Sequence, residues 1–149
     1  MAEGEGVNRA PLRVLLVEDD LDHAELVKRG LEECRANVEL VHLEDGEAAL
    51  RYLGGRDSPD APDRPHLILL DLRLPRIDGL EVLREIKASP DLSDIPCVVL
   101  TTSRAEGDMV KAYRLHANSY LVKPVDLPQF MEMMKTLGYY WLTWNECPY

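Results

Sequence analysis

Four aliphatic residues in unbroken succession, Leu67-Ile68-Leu69-Leu70, stop abruptly at a carboxylate, Asp71. A strand with one wet face alternates apolar and polar residues, so a run without alternation reads as a strand covered on both faces, as in a parallel α/β sheet. Asp71 then stands at the carboxyl end of that strand. At this end of an open parallel sheet the loops diverge and leave a crevice in which ligands bind.

The same construction recurs along the chain. Leu12 to Val17, broken only by Arg13, ends in Glu18-Asp19-Asp20; Val38 to Leu43 forms a second run; Ile95 to Leu100 ends in Thr101-Thr102-Ser103; and Tyr120-Leu121-Val122 ends in Lys123-Pro124. Between these runs the apolar residues take helical spacing. Ala24, Val27, Leu31 and Cys34 follow Asp20 and Asp22, either of which can cap; Ala49, Leu50 and Leu53 lie between the turn Asp45-Gly46 and the stop Gly54-Gly55. Leu80, Leu83 and Ile86 follow Asp78-Gly79 and end at Ser89-Pro90, while Met109, Val110 and Tyr113 mark a fourth helix. Leu127, Phe130, Met134 and Leu137 line a fifth, with Asp126 and Gln129 as its capping box. Pro59, Pro62 and Pro65 make the stretch from Gly55 to His66 a long loop.

Strand and helix alternate five times, which predicts an α/β fold with a doubly wound, five-stranded parallel sheet. Right-handed crossovers favour the flavodoxin-like (βα)5 strand order 2-1-3-4-5. Residues 12–137 would form the domain, with a flexible arm at 1–11 and an aromatic extension at 138–149. A length of 149 residues fits one domain of this kind.

A formal net charge of −10 argues against a broad footprint on nucleic acid or anionic membrane. No apolar run approaches the roughly 20 residues of a spanning helix, and no signal segment stands at the start, so a soluble cytoplasmic protein is expected. Cys34, Cys97 and Cys147 include no close pair, and His23, His42, His66 and His116 show no metal-ligand spacing. All four histidines read as structural.

The residues just past the strands are Glu18 and Asp19, Asp71, Thr101 and Lys123, and in the expected fold all five face one crevice. Carboxylates about 4 Å apart repel by about 4 kcal/mol at an effective dielectric of 20, so the cluster calls for a cation or a bound proton. An all-oxygen acidic site suits Mg²⁺, which commonly takes one or two carboxylates plus a phosphate oxygen. With that charge offset, Asp71 can act as an ionised nucleophile toward phosphorus. Lys123 and Thr101 are suited to hold two phosphoryl oxygens, the positioning and charge stabilisation on which phosphoryl transfer depends.

This set resembles the receiver domain of two-component response regulators. The resemblance rests on Val17-Glu18-Asp19-Asp20, on Leu70-Asp71-Leu72-Arg73-Leu74-Pro75 with Asp78-Gly79, on Leu100-Thr101, and on Tyr120-Leu121-Val122-Lys123-Pro124. It covers about Leu12 to Leu137. It implies that Asp71 accepts a phosphoryl group from a histidine kinase, and that Glu18, Asp19, Asp71 and the backbone carbonyl of Arg73 bind Mg²⁺. Thr101 and Tyr120 would be the switch pair, altering the face made by the fourth helix, fifth strand and fifth helix, and the Lys123-Pro124 peptide would be cis. Leu100-Thr101-Thr102-Ser103, Leu115-His116-Ala117-Asn118-Ser119-Tyr120 and Lys123-Pro124-Val125-Asp126, with the long proline loop, are most similar to single-domain regulators paired with bacterial phytochromes. Arg73 departs from that pattern, because relatives often carry asparagine there.

Past Leu137 stand Tyr139, Tyr140, Trp141, Trp144 and Tyr149, five of the nine aromatics of the chain. Left exposed they form an interaction patch. A homodimer contact through the fourth helix, fifth strand, fifth helix and tail is expected, with Phe130, Tyr140, Trp141 and Trp144 at the interface; the alternative is a tail folded onto its own domain. Two other functional classes compete. A phosphohydrolase of the haloacid dehalogenase type wants a second aspartate two residues after the nucleophile, where Arg73 stands; a receiver-like scaffold that takes no phosphate would not need Asp19, Asp71, Thr101 and Lys123 together.

Overall fold

The structure is a computed structural model that describes residues 11–34 and 37–146. The arm expected at 1–11 lies outside the described residues except for Pro11, as do Cys147 and Tyr149 of the tail. The strands are β1 (Leu12–Val17), β2 (Val38–Leu43), β3 (Leu67–Leu70), β4 (Cys97–Thr101) and β5 (Ser119–Val122). The helices between and after them are α1 (Leu21–Cys34), α2 (Gly46–Leu53), α3 (Gly79–Ala88), α4 (Glu106–Arg114) and α5 (Leu127–Gly138). All pairings are parallel and the order is β2-β1-β3-β4-β5, as the alternation predicts.

The sheet divides the core into two layers by the period-two rule for strands. Leu15, Val17, Ile68, Leu70 and Val99 face Leu53, Leu83, Ile86 and Ala112 of α2, α3 and α4. Val14, Leu16, Leu67, Leu69, Val98 and Leu100 face Val27, Leu31, Phe130, Met134 and Leu137 of α1 and α5. β3 is fully buried on both sides, which is why its sequence does not alternate. On the second layer α1 and α5 pack closely enough that a Cβ at Gly30 would lie 2.4 Å from Met134 Cβ.

Local signals act where the sequence places them. Asp20 Oδ1 accepts from the backbone N–H of Asp22 and His23 at the start of α1, and Asp45, Asp78 and Asp126 cap α2, α3 and α5.

α4 forms where Met109, Val110 and Tyr113 mark it, with Val110 and Tyr113 exposed and Asp108 and Ala112 inward. The helical period identifies a stripe, but here a polar network holds the other face. Leu127 at the start of α5 is likewise exposed. Phe130 is 2% exposed in the α1–α5 layer and has no free surface for a partner. The Lys123-Pro124 peptide is trans, since no cis bond occurs among the described residues; either isomer is accessible, at a difference of about 0.5–1 kcal/mol.

α5 runs on without a break into a π-helical turn, Tyr139–Trp144. Its Leu142 is buried and its Trp141 half-buried against the α1–α5 core, while Tyr139, Tyr140 and Trp144 point outward. The tail thus divides its aromatics between the core and the surface.

Candidate functional site

Register places the site. Val17 pairs with Leu70, Leu70 with Val99, and Thr101 with Val122, so the residues that follow these strands emerge side by side. Backbone bonds continue the ladder one step past the strands: Asp71 N–H donates to Val17 O at 3.1 Å and Lys123 N–H to Thr101 O at 2.7 Å. Gly79, at the start of α3, lets that helix abut the strand end, because a Cβ there would lie 2.2 Å from Asp71 O.

Asp71 is 7% exposed. Its Oδ1 accepts from Leu72 N–H at 2.7 Å, and its Oδ2 accepts from Lys123 Nζ at 3.1 Å. Lys123 is itself buried, and its ammonium also donates to Glu18 Oε1 and lies 2.9 Å from His23 Nδ1. Glu18 is fixed on three sides. Its N–H donates to Leu43 O, its Oε2 accepts from Asp20 N–H at 3.1 Å, and its carbonyl oxygen lies 2.7 Å from His42 Nε2. Burial pushes the Glu18 carboxyl up, to about 7, against the downward pull of the Lys123 ammonium.

Asp19 is exposed beside this buried group. One carboxylate oxygen from each of Glu18, Asp19 and Asp71 lies within 4.8 Å of the others. With Glu18 ionised, three carboxylates against one ammonium leave two negative charges, which a divalent cation would balance. The donor set is all oxygen, as a hard cation requires. The residues present therefore fit a divalent metal.

On the other flank Thr101 is fully buried, and its Oγ1 accepts from Ser103 N–H at 3.3 Å. The Tyr120 ring packs on the core, and its hydroxyl donates to Ser103 O at 3.0 Å. Burial raises the Tyr120 phenol above its ordinary range, with the Ser103 bond opposing. Ser103 Oγ donates to Asp108 Oδ2 at 2.6 Å, and the same carboxylate takes an ion pair from the Arg73 guanidinium. Arg73 also lies 4.0 Å from Asp78 at the start of α3.

The structure thus gathers Glu18, Asp19, Asp71, Thr101 and Lys123 at one end of the sheet, with Tyr120 and the Arg73 side chain on the α4 side. Tyr140, Trp141, Trp144 and Phe130 belong to α5 and the turn after it. Two residues of the constellation escape the sequence reading. His23 has no metal-ligand spacing and so reads as structural, yet four positions past Asp19 it falls on the first turn of α1, beside the crevice. Asp108 stands four residues before Ala112, so the two share the inward face of α4, and the sequence carries no signal that an acid there is buried.

The response regulator receiver domain family matches residues 14–135. Among related proteins, the response regulator Rcp1 of Synechocystis is 45% identical over 132 residues, 89% of this chain and 90% of that one. FilR2, from Methanothrix harundinacea, is 44% identical over 143 residues, 93% of this chain and 88% of that one. Two crystal structures have similar folds, each with a TM-score of 0.87 and each covered completely: the phosphorylated cyanobacterial phytochrome response regulator RcpA, at 39% identity over 94% of this chain, and the Mn²⁺-bound form of Rcp1, at 42% over 93%. With the acidic cluster, the buried ammonium and the strand order already in place, these matches establish that the chain belongs to the response regulator receiver domain family.

Proposed function

We propose that this chain is a single-domain response regulator that takes a phosphoryl group on Asp71 from a histidine kinase, a bacterial phytochrome, in a Mg²⁺-dependent relay. One observation carries the reading: a buried carboxylate at the end of β3, with an ammonium 3.1 Å from one oxygen and two further carboxylates within 4.8 Å. Bacterial phytochromes are the favoured donors because RcpA is a phytochrome response regulator and similar to this chain.

Glu18, Asp19, Asp71 and the Arg73 carbonyl would hold Mg²⁺, which offsets the carboxylate charge and lets a phosphoryl group approach. Asp71 then attacks phosphorus through a carboxylate oxygen as the bond to the donor nitrogen breaks. Lys123 follows the phosphoryl oxygens as a point charge, and the Thr101 hydroxyl donates to another of them. Tyr120, bonded to Ser103 O beside Thr101, carries the change toward α4, β5 and α5. The protein is a phosphoacceptor that assists its own phosphorylation and dephosphorylation, without a separate substrate to turn over. A second copy would dock on the face of α4, β5, α5 and the tail, with Tyr140, Trp144 and the half-buried Trp141 as its aromatic anchors. The setting is cytoplasmic, with neither nucleic acid nor membrane as partner; among the described residues no helix is long and apolar enough to cross a membrane.

Incubation with acetyl phosphate and Mg²⁺, followed by intact mass, tests the chemistry. One added phosphoryl group is expected, lost in Asp71→Asn and on chelation of the metal. No addition under conditions that label another receiver would turn the reading to the scaffold. Trp144→Ser and Tyr140→Ser should shift elution toward the monomer in size-exclusion chromatography.

A further inference from the structure

The ammonium of Lys123 has three protons to place, and the structure offers three acceptors: Glu18 Oε1, Asp71 Oδ2 and, at 2.9 Å, His23 Nδ1. The first two are carboxylates that would turn to a metal and a phosphoryl group in the proposed reaction. The third belongs to neither. An ammonium can only donate, so His23 Nδ1 must present its lone pair and the ring must carry its proton on Nε2. The ring is also seated: it packs on Phe130 of α5 with centroids 5.7 Å apart.

We infer that His23 is a positioning residue for Lys123, its neutral imidazole taking one ammonium proton and holding Nζ beside Asp71 for phosphoryl uptake. The inference rests on the phosphoacceptor reading above. The charged groups facing the ring are Lys123, past the end of β5, and Asp20, in the loop before α1, whose Oδ2 is 3.7 Å from the same Nδ1; Phe130 of α5 brings no charge, and Glu18 and Asp71 stand behind Lys123. Each protonation state of the ring therefore has its own partner. The neutral ring accepts from Lys123. A protonated ring has lost that lone pair, repels the ammonium and can donate to Asp20 instead.

Two measurements decide the matter independently. Uptake from acetyl phosphate with Mg²⁺ is timed by intact mass for the wild type, His23→Leu and His23→Asn, whose Oδ1 offers an acceptor that does not titrate. His23→Leu should slow uptake about tenfold, the loss of one charge-assisted hydrogen bond, and His23→Asn should restore it. Equal rates for His23→Leu and the wild type, or a rate for His23→Asn as low as that of His23→Leu, overturn the inference. Two-bond ¹H–¹⁵N spectra of the wild type, which need no phosphoryl transfer, should show the proton of His23 on Nε2; a proton on Nδ1 overturns the inference whatever the uptake shows. If none of the three proteins is labelled, the phosphoacceptor reading fails, and the tautomer alone then decides the placement of Lys123.

Discussion

Two cations flank Asp71, and they are held in opposite ways. Lys123 is buried, its side chain 2% exposed, among Glu18, Asp71 and His23. Arg73 is 57% exposed at its side chain and reaches sideways to Asp108 and Asp78. A buried ammonium that loses its partners cannot turn to water, whereas a surface guanidinium can. The Lys123 side is thus suited to fixed geometry at the Asp71 carboxylate, and the Arg73 side to an exchangeable link between the β3–α3 loop and α4.

The sharpest way to break that contrast is to remove each cation in turn. Lys123→Met leaves the buried Asp71 without its counter-charge, and near neutral pH should cost about 3–5 kcal/mol in urea unfolding. Arg73→Ala leaves Asp108 with the Ser103 hydroxyl and a route to solvent, and should cost about 1 kcal/mol. Similar losses for the two variants would erase the distinction.

A second test sharpens the buried side through its proton. Burial raises Glu18 from 4.5 to about 7, so between those values the folded protein binds a proton that the unfolded chain has released. Stability from this group is therefore fully present below about pH 4.5 and is lost as pH rises through about 7, a fall of about 3 kcal/mol. In chelator-treated protein, the difference in unfolding free energy between the wild type and Glu18→Gln should follow that slope. Divalent metal should flatten it by keeping the carboxyl ionised in the fold. A wild type that parallels Glu18→Gln across this range would show that Lys123 alone keeps Glu18 charged.

These sites were unequally legible in the sequence. Strand ends are readable because a short unalternating run bounded by turn residues reads as a covered strand, and a parallel sheet brings the residues at its strand ends to one edge; Glu18, Asp71, Thr101 and Lys123 follow from that. His23 and Asp108 lie on helices, where period gives a face but not the neighbour across it. The placement of His23 depends on how α1 leaves β1, and Asp108 is inward because Ser103 and Arg73 meet it there. Phe130 and Trp144 are both aromatics near the end of the chain, yet one fills the α1–α5 layer and the other faces outward. Composition could not separate them, since the decision belongs to helix rotation and to the π-helical turn after Gly138.

The smallest effect concerns how far the exposed link extends. Arg73, Asp108, Ser103 and Tyr120 form a chain of polar contacts from the loop beside Asp71 to β5. A double-mutant cycle of Arg73→Ala and Asp108→Asn should show coupling of about 1 kcal/mol, shrinking as salt rises because the guanidinium is exposed. Tyr120→Phe removes one hydroxyl bond to a backbone oxygen, worth about 1 kcal/mol. If Ser103 merely shares space with both, the Tyr120→Phe cost should be unchanged in the Arg73→Ala background, within about 0.5 kcal/mol. A larger coupling would mean that the guanidinium holds the β4–α4 loop for the Tyr120 hydroxyl. The link at Arg73 would then bear on the tyrosine's orientation as well as on the local charge.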